Sequence, residues 1–287
     1  MDFSSGIGRY ASRIRGIATF ASGGSSWVDK IKMTVIGYAR GHTFSAPGLL
    51  SGVGRRAFPE ISVRPSLLRG LTLHLNPSDV SHLVVMDEIL IEQVYSLSVV
   101  PFRPDVILDC GAHIGMFTLL AAATFPDARI DAFEPDPENL VWLRKQISVN
   151  HLAVNVMDAA VAASDGTARF KANLGCGGAL VHDSVMRSAS CTVVVRTMRL
   201  ATFIAELKSE RLLLKLDIEG EESKVLPDVL PFLPANCVLF IETHGGDNGW
   251  QTAADLMKQH GFAPVITRRR DVFIDGVGTR TVIASYP

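Results

Sequence analysis

Two acidic segments in the C-terminal half of the chain carry the side chains best suited to chemistry. KLDIEGEE supplies Lys215, Asp217, Glu219, Glu221 and Glu222, and IETHGGDN supplies Glu242, His244 and Asp247. Side chains alternate along a strand, so Lys215, Asp217 and Glu219 share one side, and Glu242 shares a side with His244. Glu221, Glu222 and Lys224 fall in the following helix and read as helix-start and surface charges. A cluster of Asp217, Glu219, Glu242 and His244 allows two kinds of chemistry. In one, His244 or Glu242 is a general base tuned by neighbouring carboxylates, which raise a histidine pKa. In the other, Asp217 and Glu242 bind a divalent metal such as Mg²⁺, which orients and acidifies a hydroxyl. Lys215 reads either as a participant or as the ion-pair partner of one of these acids.

A second group lies upstream in ILDCGAHIGMF, residues 107–117, an apolar strand running into a glycine turn and a helix. The turn holds Asp109, Gly111, Ala112, His113 and Gly115, and its spacing is GxxxG. A dinucleotide fingerprint, GxGxxG, needs a middle glycine where the pyrophosphate meets the backbone, and His113 stands there instead. No GK[ST] follows a glycine run, so a Walker A loop is absent too. An acid before the turn repels a pyrophosphate but suits a cationic or zwitterionic ligand. Twenty-five residues on, FEPDP ends the next strand. Glu134, beside Pro135, can take both ribose hydroxyls as a bidentate acceptor, while Asp136 caps the following helix with Pro137 at its first position. An acidic strand end, a GxxxG turn and a second acidic strand end describe a pocket for S-adenosylmethionine.

The elements that must hold these groups alternate. Apolar runs and helical periodicity predict strand 105–109, helix 115–124, strand 129–133, helix 137–149 and strand 153–157. A glycine-rich loop (Gly175, Gly177, Gly178) and strand 191–197 follow. Then come helix 200–208, strand 211–217, helix 221–230, strand 236–242 and helix 249–260. Two closing strands near 262–267 and 279–285, joined by RRRDVFIDG, form an antiparallel hairpin. This is an α/β fold: Rossmann-like, doubly wound and mainly parallel, with ligands at the carboxyl ends of the strands. Before it, 61–75 reads as a strand or hairpin and Val80–Leu97 as a helix. Residues 1–75 are expected to be an extension and residues 76–287 the main domain.

With 47% hydrophobic residues and a net charge of −1, the chain is globular and no general nucleic-acid binder. Residues 1–75 nevertheless hold ten Lys and Arg against three Asp and Glu. Phe3, Ile7, Tyr10, Ile14, Ile17 and Ala21 fall on one helical face. Residues 1–30 are therefore expected to pack on the body, to join two copies in a homodimer, or to rest peripherally on an anionic inner membrane face. Four scattered cysteines without CxxC spacing and no secretory signal point to a reducing, cytoplasmic setting.

The chain resembles the FkbM family of methyltransferases, a branch of the class I S-adenosylmethionine-dependent enzymes, over roughly residues 80–285. The resemblance rests on ILDCGAHIGMFT, IDAFEPDPENLVWLRKQISVN, LLLKLDIEGEESKVL and LFIETHGG, in this order. It implies O-methylation of a hydroxyl on a sugar, glycolipid or polyketide-like natural product. It also implies that Asp109, Gly111 and Gly115 form the cofactor turn, that Glu134 is the ribose acid, and that Asp158, after the third strand, helps to hold the adenine. His113 stands where the family commonly has asparagine. Two other functions remain open at this stage: a nicotinamide-dependent oxidoreductase, disfavoured by the missing GxGxxG, and a non-catalytic binder of S-adenosylmethionine. The acceptor, a small molecule or glycolipid, is not legible in the sequence.

Overall fold

A computed structural model describes residues 23–34, 60–77, 79–172, 178–180, 192–244, 247–270 and 273–279. The basic helical face expected over residues 3–21 and most of the glycine-rich loop lie outside the described residues. The chain divides into two compact units, residues 1–93 with 148–150, and residues 94–147 with 151–287.

In the first unit, helix α1 (27–34) precedes an antiparallel pair of short strands, β1 (Ile61–Val63) and β2 (Leu73–Leu75), as expected. Helix α2 (Val80–Met86) is capped by Asp79, whose carboxylate accepts from Ser81 N at 2.9 Å. The helix expected over Val80–Leu97 is shorter than its periodicity suggested. It loosens into a π turn at Asp87–Ile91, and Gln93 takes a left-handed backbone, φ 51, a conformation that stops a helix. Tyr95 thereby leaves the helix and belongs to the second unit.

The second unit is built on seven strands: β3 (Val106–Cys110), β4 (Arg129–Phe133), β5 (Val154–Met157), β10 (Arg211–Leu216), β11 (Asn236–Thr243), β12 (Val265–Arg270) and β13 (Phe273–Thr279). Their order is β12-β13-β11-β10-β3-β4-β5, parallel except for β13 against β11 and β12. Helices α3 (Met116–Thr124), α4 (Pro137–Val149), α5 (Leu200–Leu207), α6 (Glu222–Val229) and α7 (Asp247–Gln259) connect them; the last residues of α4 fall in the first unit. Strands covered on both faces read as continuous apolar runs, and β3 and β10 do: every residue of β3 is buried, and so are Leu212, Leu213, Leu214 and Leu216. Each such leucine contributes about 1.5–3 kcal/mol by leaving water. Strand order reverses between β3 and β10, so their carboxyl ends frame the crevice in which this architecture holds ligands.

Two expectations need correction. The closing strands start later and earlier than expected, leaving only residues 271–272 between them. RRR belongs to β12, at the sheet edge, rather than to a loop. A second sheet, β6 (Ala160–Ala162), β7 (Gly166–Lys171), β8 (Ala179–Leu180) and β9 (Thr192–Arg199), in the order β6-β9-β7-β8, went unread apart from β9. β6 and β8 are only three and two residues long, too short to show a period, and β7 (GTARFK) buries only Phe170.

Candidate active site

The turn after β3 is shaped by two close approaches. Gly111 (φ +81) lies so near the chain after β10 that a Cβ there would sit 1.8 Å from the Asp217 carbonyl oxygen. At Gly115 (φ +87) a Cβ would meet Leu143 Cδ1 at 2.7 Å. Between them His113 also takes a left-handed backbone, φ 52, which histidine and asparagine tolerate better than most side chains. The turn is stitched to β4 by Gly111 N and Ala112 N, which donate to the Phe133 carbonyl at 3.1 and 2.9 Å.

Glu134, at the tip of β4, completes that stitching. One carboxylate oxygen accepts from His113 N at 2.7 Å, and the other accepts from Asp136 N at 2.8 Å and Asn139 Nδ2 at 3.4 Å. Burial pushes its pKa up to about 7 against the lowering effect of these hydrogen bonds. Pro135 is half-buried beside it, and Asp136 caps α4 through Glu138 N at 2.9 Å. Asp158, expected near the adenine, follows β5 as an exposed side chain 3.5 Å from Arg144.

Asp109 and Lys215 are cross-strand partners in β3 and β10. Asp109 is fully buried, accepts from Thr118 Oγ1 at 2.6 Å and lies 3.4 Å from Lys215 Nζ. The expectation of an acid open to a cationic ligand is corrected at this position, because Lys215 meets its charge. Lys215 Nζ also donates to the Gly111 carbonyl at 2.9 Å, lies 3.3 Å from Asp217 and sits over the Tyr95 and Phe117 rings at 5.5 and 6.0 Å. Burial works to lower its pKa, but Asp217 and Asp109 outweigh that and hold it above the ordinary lysine value. Lys215 is thus an enclosed cation holding the turn to β10, as its ion-pair reading had it.

The remaining groups converge beyond the ends of β10 and β11. Tyr95 OH donates toward Asp217 Oδ2 at 3.1 Å and Glu242 Oε2 at 3.0 Å, one proton serving two carboxylates. The Tyr95 ring is held edge-on against Phe117 and Phe240, with centroids 5.5 and 5.8 Å away. His244 Nδ1 lies 3.0 Å from Glu222, and its Nε2 lies 3.3 Å from Glu219 and 3.9 Å from Glu242. Burial opposes its protonation, yet the hydrogen bond and charge of Glu222, with Asp217 and Glu219, raise its pKa to about 10. Carboxylates on both ring nitrogens favour the protonated imidazole, which speaks against the reading of His244 as a general base. Burial raises Glu219 to about 7, partly offset by His244. Asp217, Glu242 and His244 each bring one metal-ligand atom within 4.8 Å of the others.

The structure brings together Asp217, Glu219, Glu242 and His244, as the strand alternation suggested, and adds two residues that sequence reasoning missed. Glu222 was read as a surface charge. It is instead buried, accepting from Ile218 N and Gly220 N as well as facing His244. Its only signal was an acid in the first turn of a helix after glycine. Tyr95 had no signal, being 122 residues from Asp217 and 147 from Glu242.

A profile described as the methyltransferase FkbM domain matches residues 109–264. The 31-O-demethyl-FK506 methyltransferase FkbM of Streptomyces tacrolimicus is 27% identical over 223 residues, covering 67% of this chain and 85% of that one. The AMB antimetabolite synthetase AmbE of Pseudomonas aeruginosa is 28% identical over 270 residues, 78% of this chain but only 12% of that protein's length. Among solved structures, a SAM-dependent methyltransferase from Agrobacterium tumefaciens gives a TM-score of 0.46 at 11% identity, covering 79% of this chain and 72% of that one. An O-methyltransferase family protein from Burkholderia thailandensis gives 0.45 at 12%, covering 86% and 72%. Among the described residues no helix is long and apolar enough to cross a membrane.

Proposed function

Because this chain belongs to the FkbM methyltransferase family and is an S-adenosylmethionine-dependent methyltransferase, we infer that it methylates a hydroxyl oxygen of a small natural product. The observation that carries this reading is the cluster of Tyr95, Asp217, Glu219, Glu242 and His244, placed against the glycine turn by the Gly111–Asp217 contact. S-Adenosylmethionine supplies an electrophilic methyl on a sulfonium. The residues fit that ligand: Gly111 and Gly115 give the turn its left-handed bends against the chain after β10 and against α4, Glu134 offers a carboxylate to the ribose, and the acids after β10 and β11 favour a cation. Transfer to oxygen requires the acceptor hydroxyl held near ~3 Å from the methyl and its proton removed as the new bond forms. The proton acceptor is a carboxylate, Glu219 or Glu242. Glu219, raised to about 7, is matched to neutral pH as a base. His244, positively charged and held by Glu222, orients these acids.

A divalent cation is the second reading, favoured by the 4.8 Å grouping of Asp217, Glu242 and His244. Glu222 on Nδ1 is the kind of outer partner that orients a ligating imidazole. However, His244 must give up its proton to ligate, and Lys215 and Tyr95 already occupy Asp217 and Glu242. The set as arranged therefore fits its own cations better than a metal.

The test is tritiated-methyl transfer from S-adenosylmethionine into a metabolite extract, with and without EDTA, followed by identification of the labelled atom. Label on oxygen, retained in EDTA and lost in Asp217→Ala and Glu242→Ala with cofactor binding intact, is the expected result. Label on nitrogen or carbon, or none despite bound cofactor, would sink the reading. Loss in EDTA alone, restored by Mg²⁺, would favour the metal.

A further inference from the structure

The second unit contains a cleft of about 350 Å³ between α6 and α7, over the end of β11. This is within the ~300–1,000 Å³ of small-molecule sites. Its walls are Leu226 and Pro227 from α6, Ile241 from β11, and Ala253 and Leu256 from α7. The polar groups of its lining are Glu222, Ser223, Thr243, His244 and the exposed Thr252. His244 also belongs to the acid cluster, since its Nε2 is 3.3 Å from Glu219 and 3.9 Å from Glu242. Gly249 lies beside Thr243, 3.9 Å separating its Cβ position from Thr243 Oγ1.

We propose that this cleft is the acceptor site, and that it selects an uncharged, lipophilic alcohol whose apolar body lies between α6 and α7 with its hydroxyl at His244, Glu219 and Glu242. Three observations fix the occupant's chemistry. The apolar walls reward burial of a hydrocarbon body. Among the described residues Glu222 and His244 are the charged groups that line the cleft, and these two already face each other at 3.0 Å. A charged body would therefore be desolvated without a counter-charge. A polyol would set hydroxyls against Leu226, Ile241 and Leu256, which offer no partner, beyond those that Ser223, Thr243 and Thr252 could meet. This assignment deepens the proposed O-methyl transfer and rests on it for the fate of the hydroxyl. Occupancy of the cleft is measurable separately.

The test uses the full chain with 2-naphthylmethanol and cyclohexylmethanol as probes and myo-inositol as the polar control, followed by ligand-observed NMR titration. Two variants fill the cleft: Ala253→Phe inside it and Thr252→Trp at its exposed rim, where a bulky side chain leaves the core undisturbed. Saturable binding of the lipophilic alcohols is expected, weakened at least tenfold in Thr252→Trp and in Ala253→Phe if that variant folds. Calorimetric affinity for S-adenosylmethionine should be unchanged. Equal affinity in wild type and Thr252→Trp, preference for myo-inositol, or no saturable binding would each overturn the assignment. If the probes bind as expected but no oxygen is methylated, the O-methyl reading fails while the cleft's preference stands.

Discussion

Gly111 and Asp217 touch backbone to backbone, with room for no atom at the Gly111 Cβ position: it would fall 1.8 Å from the Asp217 carbonyl oxygen. The glycine turn after β3 and the chain at the end of β10 thus meet in one tight junction. Gly111→Ala should cost about 3 kcal/mol or more, combining a left-handed backbone with an overpacked contact that cannot yield. Gly115→Ala meets a flexible leucine tip instead and should cost about 1–2 kcal/mol. Urea denaturation of both variants, with cofactor titration, checks the ranking. Equal costs would mean that backbone φ alone matters.

Lys215 balances Asp109 inside the sheet. Lys215→Met strands a fully buried carboxylate and should destabilise the protein by about 3–5 kcal/mol, as when one member of a buried pair is removed. Asp109→Asn added to Lys215→Met should recover a substantial part. If the double variant is no more stable than the single one, the pair is not the origin of the loss.

If Glu134 is the ribose acid proposed above, cofactor affinity should depend on pH. Its folded-state pKa is raised, from 4.5 to about 7. Its contribution to stability is therefore fully present below 4.5 and is lost as pH rises through about 7. In the proposed site the ribose takes the carboxylate form, so affinity should run the opposite way: weakening by up to about tenfold per unit as pH falls below 7, and level above it. Calorimetry between pH 5.5 and 8.5, with Glu134→Gln expected to flatten the curve, is the check. A flat wild-type curve would remove Glu134 from the ribose site.

Tyr95→Phe keeps the ring packed on Phe117 and Phe240 and removes only the hydroxyl that Asp217 and Glu242 share. A hydrogen bond to a charged group is worth about 1.5–3 kcal/mol, so kcat should fall about tenfold to a hundredfold. Cofactor affinity should hold. A variant with unchanged kcat would show the hydroxyl to be structural.

The sequence by itself determined the parts governed by local pattern. The alternating strands and helices of residues 105–260 and the GxxxG turn follow from periodicity and from where glycine is required. The facing of Asp217, Glu242 and His244 follows from strand alternation and a parallel register. Where strands are as short as β6 and β8, three and two residues, that pattern is faint. Tertiary structure alone decided which charges are enclosed and which are exposed. It set Lys215 between Asp109 and Asp217, brought Tyr95 to two acids more than a hundred residues away, and turned Glu222 inward to hold His244 positively charged. It also left Asp158 beside Arg144 and opened an apolar cleft at His244. Protonation states and cavities arise from distances between segments remote in the chain, and no spacing along one segment encodes them.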